Sequence, residues 1–325
     1  MIVYRYLKVL FFIGIISFFL AASGEVFQTE ARETFPSKPV TIIVPFSAGG
    51  STDINVRRIA PYVRNYLKTQ IIIENLPGAD GGIGYYKGYS AKPDGYTLLA
   101  SNTIPLFLTE YSRDAKYKTM EFKPIYAYAR DSMILVVHPD FCKTFDEFVK
   151  IARTQTVRIG TTGAATTTGM MGIALAEELG LKINWVPFGG GSESLTTLAG
   201  KHIDAVFSIA ASAVSLAKAG RIRPLMVFSE KRNPQYPEVV VPKEAGVDIT
   251  LIFNHTGIVG PPGLPEDRIK ILAQAFVKAG QDPEYVARLK ETATSELVPL
   301  PPKEYKKEFE RLHVVSERYK KYLKK

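Results

Sequence analysis

The 325-residue chain contains a single cysteine, Cys142. One thiol closes no intrachain disulfide and builds no multi-thiolate metal site. Histidine is also sparse: His138, His202, His255 and His313 are scattered and form no H-E-x-x-H. Neither G-x-G-x-x-G nor G-x-x-x-x-G-K-[ST] occurs, so a dinucleotide fingerprint and a P-loop are both missing. Gly190-Gly191-Ser192-Glu193-Ser194 approaches G-x-S-x-G but ends in serine, so the nucleophile-elbow pattern fails. No catalytic constellation, metal set or cofactor motif is left. Repeats of 20–50 residues and low-complexity tracts are absent as well. Trp185, the one tryptophan, reads as a core residue.

The N-terminus has a targeting layout. Arg5 and Lys8 form a basic start, Val9 to Leu20 is apolar apart from Gly14 and Ser17, and Ala21-Ala22-Ser23-Gly24 offers small residues for cleavage. The apolar run is shorter than the ~20 residues a spanning helix needs. Residues 1–24 are therefore expected to be a cleaved signal peptide, and the protein to be periplasmic or otherwise extracytoplasmic. The net charge is +9, of which Arg5 and Lys8 contribute two. Much of the surplus lies between Lys303 and Lys325, where Glu304, Glu308, Glu310 and Glu317 alternate with lysines. That alternation describes a solvated helix face rather than a nucleic-acid surface. What remains after cleavage is long for one core and suits two α/β domains.

Val40-Thr41-Ile42-Ile43-Val44 reads as a buried parallel strand. A helix follows, opening near Thr52 or Asp53 as N-caps, with Val56, Ile59, Ala60, Val63 and Leu67 on its apolar face and Pro61 as a kink or break. Strands at 70–74 and 96–100 flank a short helix at 83–90. A second set repeats this logic. Its strands are expected at 133–137, 157–160, 184–188, 203–208 and 225–228, and its helices at 144–152, 170–179, 192–199 and 211–219. Strand, helix, strand in this order predicts parallel sheets with crossover helices. The chain is expected to cross between domains near Asp131–Leu135 and to return near Phe253–Gly257. The first domain then spans 36–132 plus 255–325, and the second 133–254. The last helix, from Pro302, carries the stripe Tyr305, Phe309, Leu312, Val315 and Tyr319, which implies docking on a core.

Four loops share a composition of Gly, Ser and Thr: Phe46–Asp53, Ser101–Thr103, Thr161–Thr167 and Phe188–Ser194. Each follows a predicted strand. In a parallel sheet such loops sit at the carboxyl ends of the strands, where ligands bind. Glycine lets a ligand approach the backbone, hydroxyls donate to carboxylate oxygens, and helix N-termini offer unpaired N–H groups. Asp53 reads as a helix cap or a contact for a ligand amine. Asp204 follows the turn Gly200–Ile203 and either satisfies loop amides or joins the binding set. Pro77 to Gly84 and Lys92-Pro93-Asp94-Gly95-Tyr96 read as shaping loop and turn.

The wording of these segments is specific. Val44-Pro45-Phe46-Ser47-Ala48-Gly49-Gly50, Glu74-Asn75-Leu76-Pro77-Gly78-Ala79, Pro93-Asp94-Gly95-Tyr96-Thr97-Leu98-Leu99 and Val186-Pro187-Phe188-Gly189-Gly190-Gly191 before Leu198-Ala199-Gly200-Lys201-His202-Ile203-Asp204 occur in order. Together they resemble the periplasmic receptors of tripartite tricarboxylate transporters, the Bug family. The resemblance implies an α/β fold of the type II periplasmic-binding kind, with a ligand cleft between two domains. It implies a small carboxylate ligand and no cofactor. The ligand set it implies is Phe46, Ser47, Ala48, Gly49, Gly50, Thr52, Asp53, Ser101, Asn102, Thr103, Gly163, Ala164, Thr166, Thr167, Phe188, Gly189, Gly190 and Asp204. Its partners would be integral membrane transporter subunits or a sensor, with a monomer as the default. The rivals are a secreted enzyme using the same cleft and a binding module for a larger partner.

Overall fold

A computed structural model describes residues 35–112, 115–163, 166–292 and 296–322 of the chain. The expected signal peptide lies outside the described residues. Lys38–Lys325 form one compact unit. In chain order its elements are β1 (Val40–Val44), α1 (Ser51–Leu67), β2 (Ile71–Asn75), α2 (Gly82–Tyr89), β3 (Thr97–Asn102), α3 (Thr103–Ser112), β4 (Lys123–Asp131) and β5 (Met133–Val137). There follow α4 (Phe145–Thr154), β6 (Val157–Thr161), α5 (Thr167–Leu179), β7 (Ile183–Pro187), α6 (Gly191–Ala199), β8 (Ala205–Ile209), α7 (Ala210–Lys218) and β9 (Arg223–Phe228). The chain closes with β10 (Asn254–Gly260), α8 (Glu266–Gly280), α9 (Pro283–Thr292), β11 (Glu296–Leu300) and α10 (Pro302–Tyr319).

Two mixed sheets result. The first has the order β11-β4-β10-β3-β1-β2 and the second β7-β6-β8-β5-β9. The parallel expectation holds for β2-β1-β3 and for β7-β6-β8. It fails at β10, antiparallel to β3 and β4, and at β5, antiparallel to β8 and β9. These two share one cause, while the edge strand β11, antiparallel to β4, is a third exception. β5 and β10 are the strands by which the chain enters each sheet from the other, so each starts at the end where its parallel neighbours finish. Register confirms the ends: Thr256 lies opposite Asn102, Asn254 opposite Asp131, and Met133 opposite both Ile209 and Phe228. Only Ser132 separates β4 from β5. The carboxyl ends of β1, β3, β6, β7 and β8 therefore all lie on the side of their sheets where the chain crosses.

Three local readings change. Ser101–Thr103 is not a loop, since β3 runs to Asn102 and α3 begins at Thr103. Strand β11 carries no alternation strong enough to announce it; it is short and pairs only with β4, as an edge. Pro61 does not break α1, which continues to Leu67. The missing N–H and the ring clash are local costs, and Val56, Ile59, Ala60, Val63 and Leu67, all buried, hold the helix against the sheet.

Near the crossing the interior is polar. The His255 backbone N–H donates to Thr103 Oγ1 at 3.0 Å, and toward the surface Arg130 donates to the exposed Glu296 at 2.7 Å and Glu230 at 3.2 Å. Burial pushes the His255 imidazole down to about 4, against the attraction of Glu308, so the ring is neutral at neutral pH.

The stripe on α10 is buried in full: Tyr305, Phe309, Leu312, Val315 and Tyr319. Phe309 meets Tyr305 edge-on at 5.0 Å and Phe107 of α3 at 5.7 Å. Pro302 in the first turn is preset for helical φ, and Arg318 complements the last turn. We expect Phe309→Ala to cost about 3–5 kcal/mol in urea unfolding, and Lys307→Ala, on the exposed face, less than about 0.5 kcal/mol. Equal effects would mean that the helix is not docked as described.

Candidate functional site

The first loop is built outward from the core. The Phe46 ring stands edge-on to buried Tyr85 at 6.2 Å, while Ser47, Ala48 and Gly49 are exposed. Gly49 has φ +80°, which a residue with a Cβ adopts only under strain. The N-cap of α1 is Gly50, with no side-chain acceptor, rather than Thr52 or Asp53. Asp53 instead reaches back and braces the loop. Its Oδ2 accepts the Gly49 N–H at 2.8 Å, its Oδ1 accepts Asn75 Nδ2 at 3.0 Å, and Arg57 Nε donates to both oxygens at 2.9 and 3.0 Å. Burial pushes this carboxyl up, but the bonds from Arg57, Gly49 and Asn75 outweigh it and hold the group below the ordinary carboxylate value. With its oxygens so engaged, Asp53 acts as a brace. The first pairing within the helix is Ile54 N–H to the Gly50 carbonyl, so the N–H groups of residues 51–53 find no partner in the helix.

The end of β3 lies beside this loop. The Thr52 hydroxyl donates to Asn102 Oδ1 at 2.8 Å, and the Asn102 NH₂ has no partner among the described residues. Ser101 and Thr103 are turned into the scaffold. Ser101 Oγ meets Tyr305 OH at 2.8 Å, and Thr103 Oγ1 accepts from His255.

In the second sheet, β6 and β7 deliver two different loops. After β6 the threonines satisfy one another. Thr166 caps α5 by accepting the Gly169 N–H at 3.1 Å and donates to the Gly163 carbonyl at 2.6 Å; Thr162 meets Thr168 at 3.0 Å. Gly163 has φ +113°. Thr167 is buried in the first turn, and Ala164 lies outside the described residues. After β7, Phe188 N–H donates to the Thr161 carbonyl at 2.9 Å and ties the two loops together. The N-cap of α6 is Gly190, again without a side-chain acceptor. Glu193 reaches back to the Gly189 N–H at 3.0 Å, just as Asp53 does to Gly49. Gly-Gly-x-x-acid thus builds the same uncapped helix start in both sheets.

Residues 55–304 match the family described as "Tripartite tricarboxylate transporter family receptor". This chain belongs to that family. The "UPF0065 protein in gbd 5'region" of Cupriavidus necator is 32% identical over 257 residues, 78% of each chain. Among solved structures, a TctC solute binding protein from Polaromonas aligns with TM-score 0.79 at 27% identity, covering 89% of this chain and 99% of that one. MatC from Rhodopseudomonas palustris with bound malate aligns with TM-score 0.71 at 24% identity, covering 89% and 100%, and shares the fold.

One residue expected with these loops lies elsewhere. Asp204 lies at the amino ends of β6 and β8, accepting from the Arg158 N–H at 2.8 Å and from its Nη2 at 2.7 Å. Five residues of extended chain, roughly 17 Å, separate it from the carboxyl end of β8. Burial raises its carboxyl, and the Arg158 bonds outweigh that and lower it. The residue that sequence reasoning passed over is Ser208, buried near the carboxyl end of β8 with no partner for its hydroxyl. The signal for it existed: it ends the strand expected at 203–208. A cavity of about 680 Å³ adjoins that strand end, walled by Ile209 at the end of β8, Ala210 at the start of α7, Arg130 and Glu296 of the first sheet, and Ser132 between the sheets. Among the described residues no three His, Cys, Asp or Glu side chains converge as a metal site.

Two outcomes test this geometry. Asp53→Asn is expected to cost about 1–2 kcal/mol at neutral pH. Because the Asp53 carboxyl is lowered on folding, its contribution is present above the unfolded value of about 4 and is lost as pH falls below that. Urea unfolding between pH 5 and 2.5 is expected to show the wild type losing more stability than the variant; parallel profiles would contradict the brace. Asp204→Asn is expected to lower stability while leaving ligand affinity within about twofold, as for distant independent sites. A larger affinity loss by calorimetry would return Asp204 to the site.

Proposed function

We propose that this receptor is an exported, periplasmic protein that captures a small carboxylate between its two sheets and delivers it to integral membrane subunits of a tripartite transporter. The observation that carries the reading is the pair of uncapped helix starts, at Gly50–Asp53 and Gly190–Glu193. Each presents unpaired N–H groups and the positive end of a helix dipole at the chain-crossing end of its sheet. A diacid spans two such ends better than a monoacid does. Malate bound to a protein of the same fold supports this ligand class. The carboxylates near the loops, Asp53 and Glu193, accept bonds from loop amides, which favours a binding role over acid–base catalysis.

In this reading residues 36–132 plus 255–325 and residues 133–254 move as two domains about the crossing at Ser132. Ligand shifts the population toward a closed shape that the membrane partner recognises. The set from Phe46 to Asp53, Asn102, Gly163 to Thr167 and Phe188 to Gly190 supplies the ligand's surroundings, and the receptor works as a monomer.

The test is a thermal-shift series on ligand-stripped protein with citrate, malate, adipate, acidic amino acids and aromatic acids. A saturable rise is expected for one acid class, since a ligand at a hundred times its Kd stabilises the folded state by about 2.7 kcal/mol. No rise with any acid would remove the carboxylate reading.

A further inference from the structure

We infer that Ser208 contacts the ligand: its hydroxyl and the free N–H groups opening α6 form one subsite for a carboxylate end. This rests on the carboxylate reading above and names a residue of that site. Ser208 is 2% exposed, and its Oγ has no protein partner. A buried hydroxyl left unpaired costs stability unless something else completes its bonding. Its direction is fixed by Gly191, the first residue of α6. A Cβ placed on Gly191 would stand 3.5 Å from Ser208 Oγ, with no other atom within 4 Å apart from its chain neighbours and the helix's own backbone. The hydroxyl therefore faces the helix start across the space a side chain would fill.

That helix start is short of acceptors. Gly190 provides no side-chain cap, and the first pairing within α6 is Ser194 N–H to the Gly190 carbonyl at 3.2 Å. The N–H groups of Gly191, Ser192 and Glu193 precede it. The Glu193 carboxylate turns back to Gly189. A carboxylate between Gly191 and Ser208 would accept from the backbone on one side and from the hydroxyl on the other. Two other buried hydroxyls near these strand ends are engaged, Thr52 with Asn102 and Ser101 with Tyr305. An ammonium group would meet the positive end of the dipole and is disfavoured in the same place.

The test pairs affinity with the stability of the unliganded protein. Wild type, Ser208→Ala and Gly191→Ala are titrated by calorimetry with malate, adipate and citrate, and each is melted without ligand. Ser208→Ala is expected to melt no lower than wild type, because it removes an unpaired polar group. For the acid that wild type binds, its affinity is expected to fall about tenfold or more, the worth of a hydrogen bond to a charged group. Gly191→Ala is expected to fold, its Cβ meeting only an ordinary contact, and to lose affinity because the methyl fills the subsite. Wild-type binding with both variants within twofold would overturn the inference and leave the carboxylate reading standing. So would a clear drop in the unliganded melting temperature of Ser208→Ala, which would make the hydroxyl structural. Failure of wild type to bind any of the three acids would remove the parent reading, and this inference with it.

Discussion

One residue, Ser132, separates the last parallel strand of the first sheet from the entering strand of the second. The facing of the two sheets depends on that short crossing. A strand of nine residues that feeds another after a single residue cannot turn away from it, so the ends of the two sheets must lie toward each other. The return strand β10 then seats itself between β3 and β4, with Asn254 opposite Asp131. Both sheets thereby share a plan: four parallel strands whose carboxyl ends face the crossing, and an antiparallel strand delivered through it, with β11 added as an antiparallel edge of the first. Loops at those carboxyl ends need no further device to come near one another.

The crossing is costly to build. Asp131, Asn254 and His255 are buried there; His255 Nδ1, 3.4 Å from the Glu308 carboxylate, and Asn254 Oδ1 make no hydrogen bond. Such groups weaken a core. The cost is offset by apolar burial on both sides and by a tie at the far end. Helix α10 lies along the first sheet, and the turn after it, Lys320–Tyr322, reaches α5 of the second, where Lys321 and Tyr322 both meet Glu177. Those side chains are largely exposed, so the tie is weak. The two sheets are thus joined by a one-residue backbone crossing and by a weak surface contact.

Much of this was legible in the sequence. Val40–Val44 and Met133–Val137 are β-branched or apolar throughout and could only be buried strands. The α10 stripe at spacings of three and four fixed both the helix and its docked face. The Gly-rich loops were legible because a strand followed by small residues and a helix start has few other uses. The sequence could not show pairing. Asp204 and Asp53 look alike as acids after a turn, yet one closes an ion pair with Arg158 at the far end of the second sheet and the other braces the first loop. Ser208 looks like any strand serine until the absence of a partner and the facing glycine are seen together. Strand β11 was missed because an edge strand with one half-exposed face has neither the apolar run nor the alternation that marks a strand.

The repeated acid at the third position of α1 and α6 bears on how tightly such a site holds an anion. In each loop the carboxylate takes the N–H two residues before the helix and leaves the first helical N–H groups free. It fixes the glycine loop in its donor geometry, so that little ordering is left to be done on binding. It also places a negative charge within the same turn, opposing a bound anion and cancelling part of the helix dipole. A lysine or arginine in its place would hold an acid more tightly but would release it slowly. Rigid, neutral donors backed by like charge favour recognition by geometry with moderate affinity. In a site built this way, differences in affinity would be carried mostly by the dissociation rate.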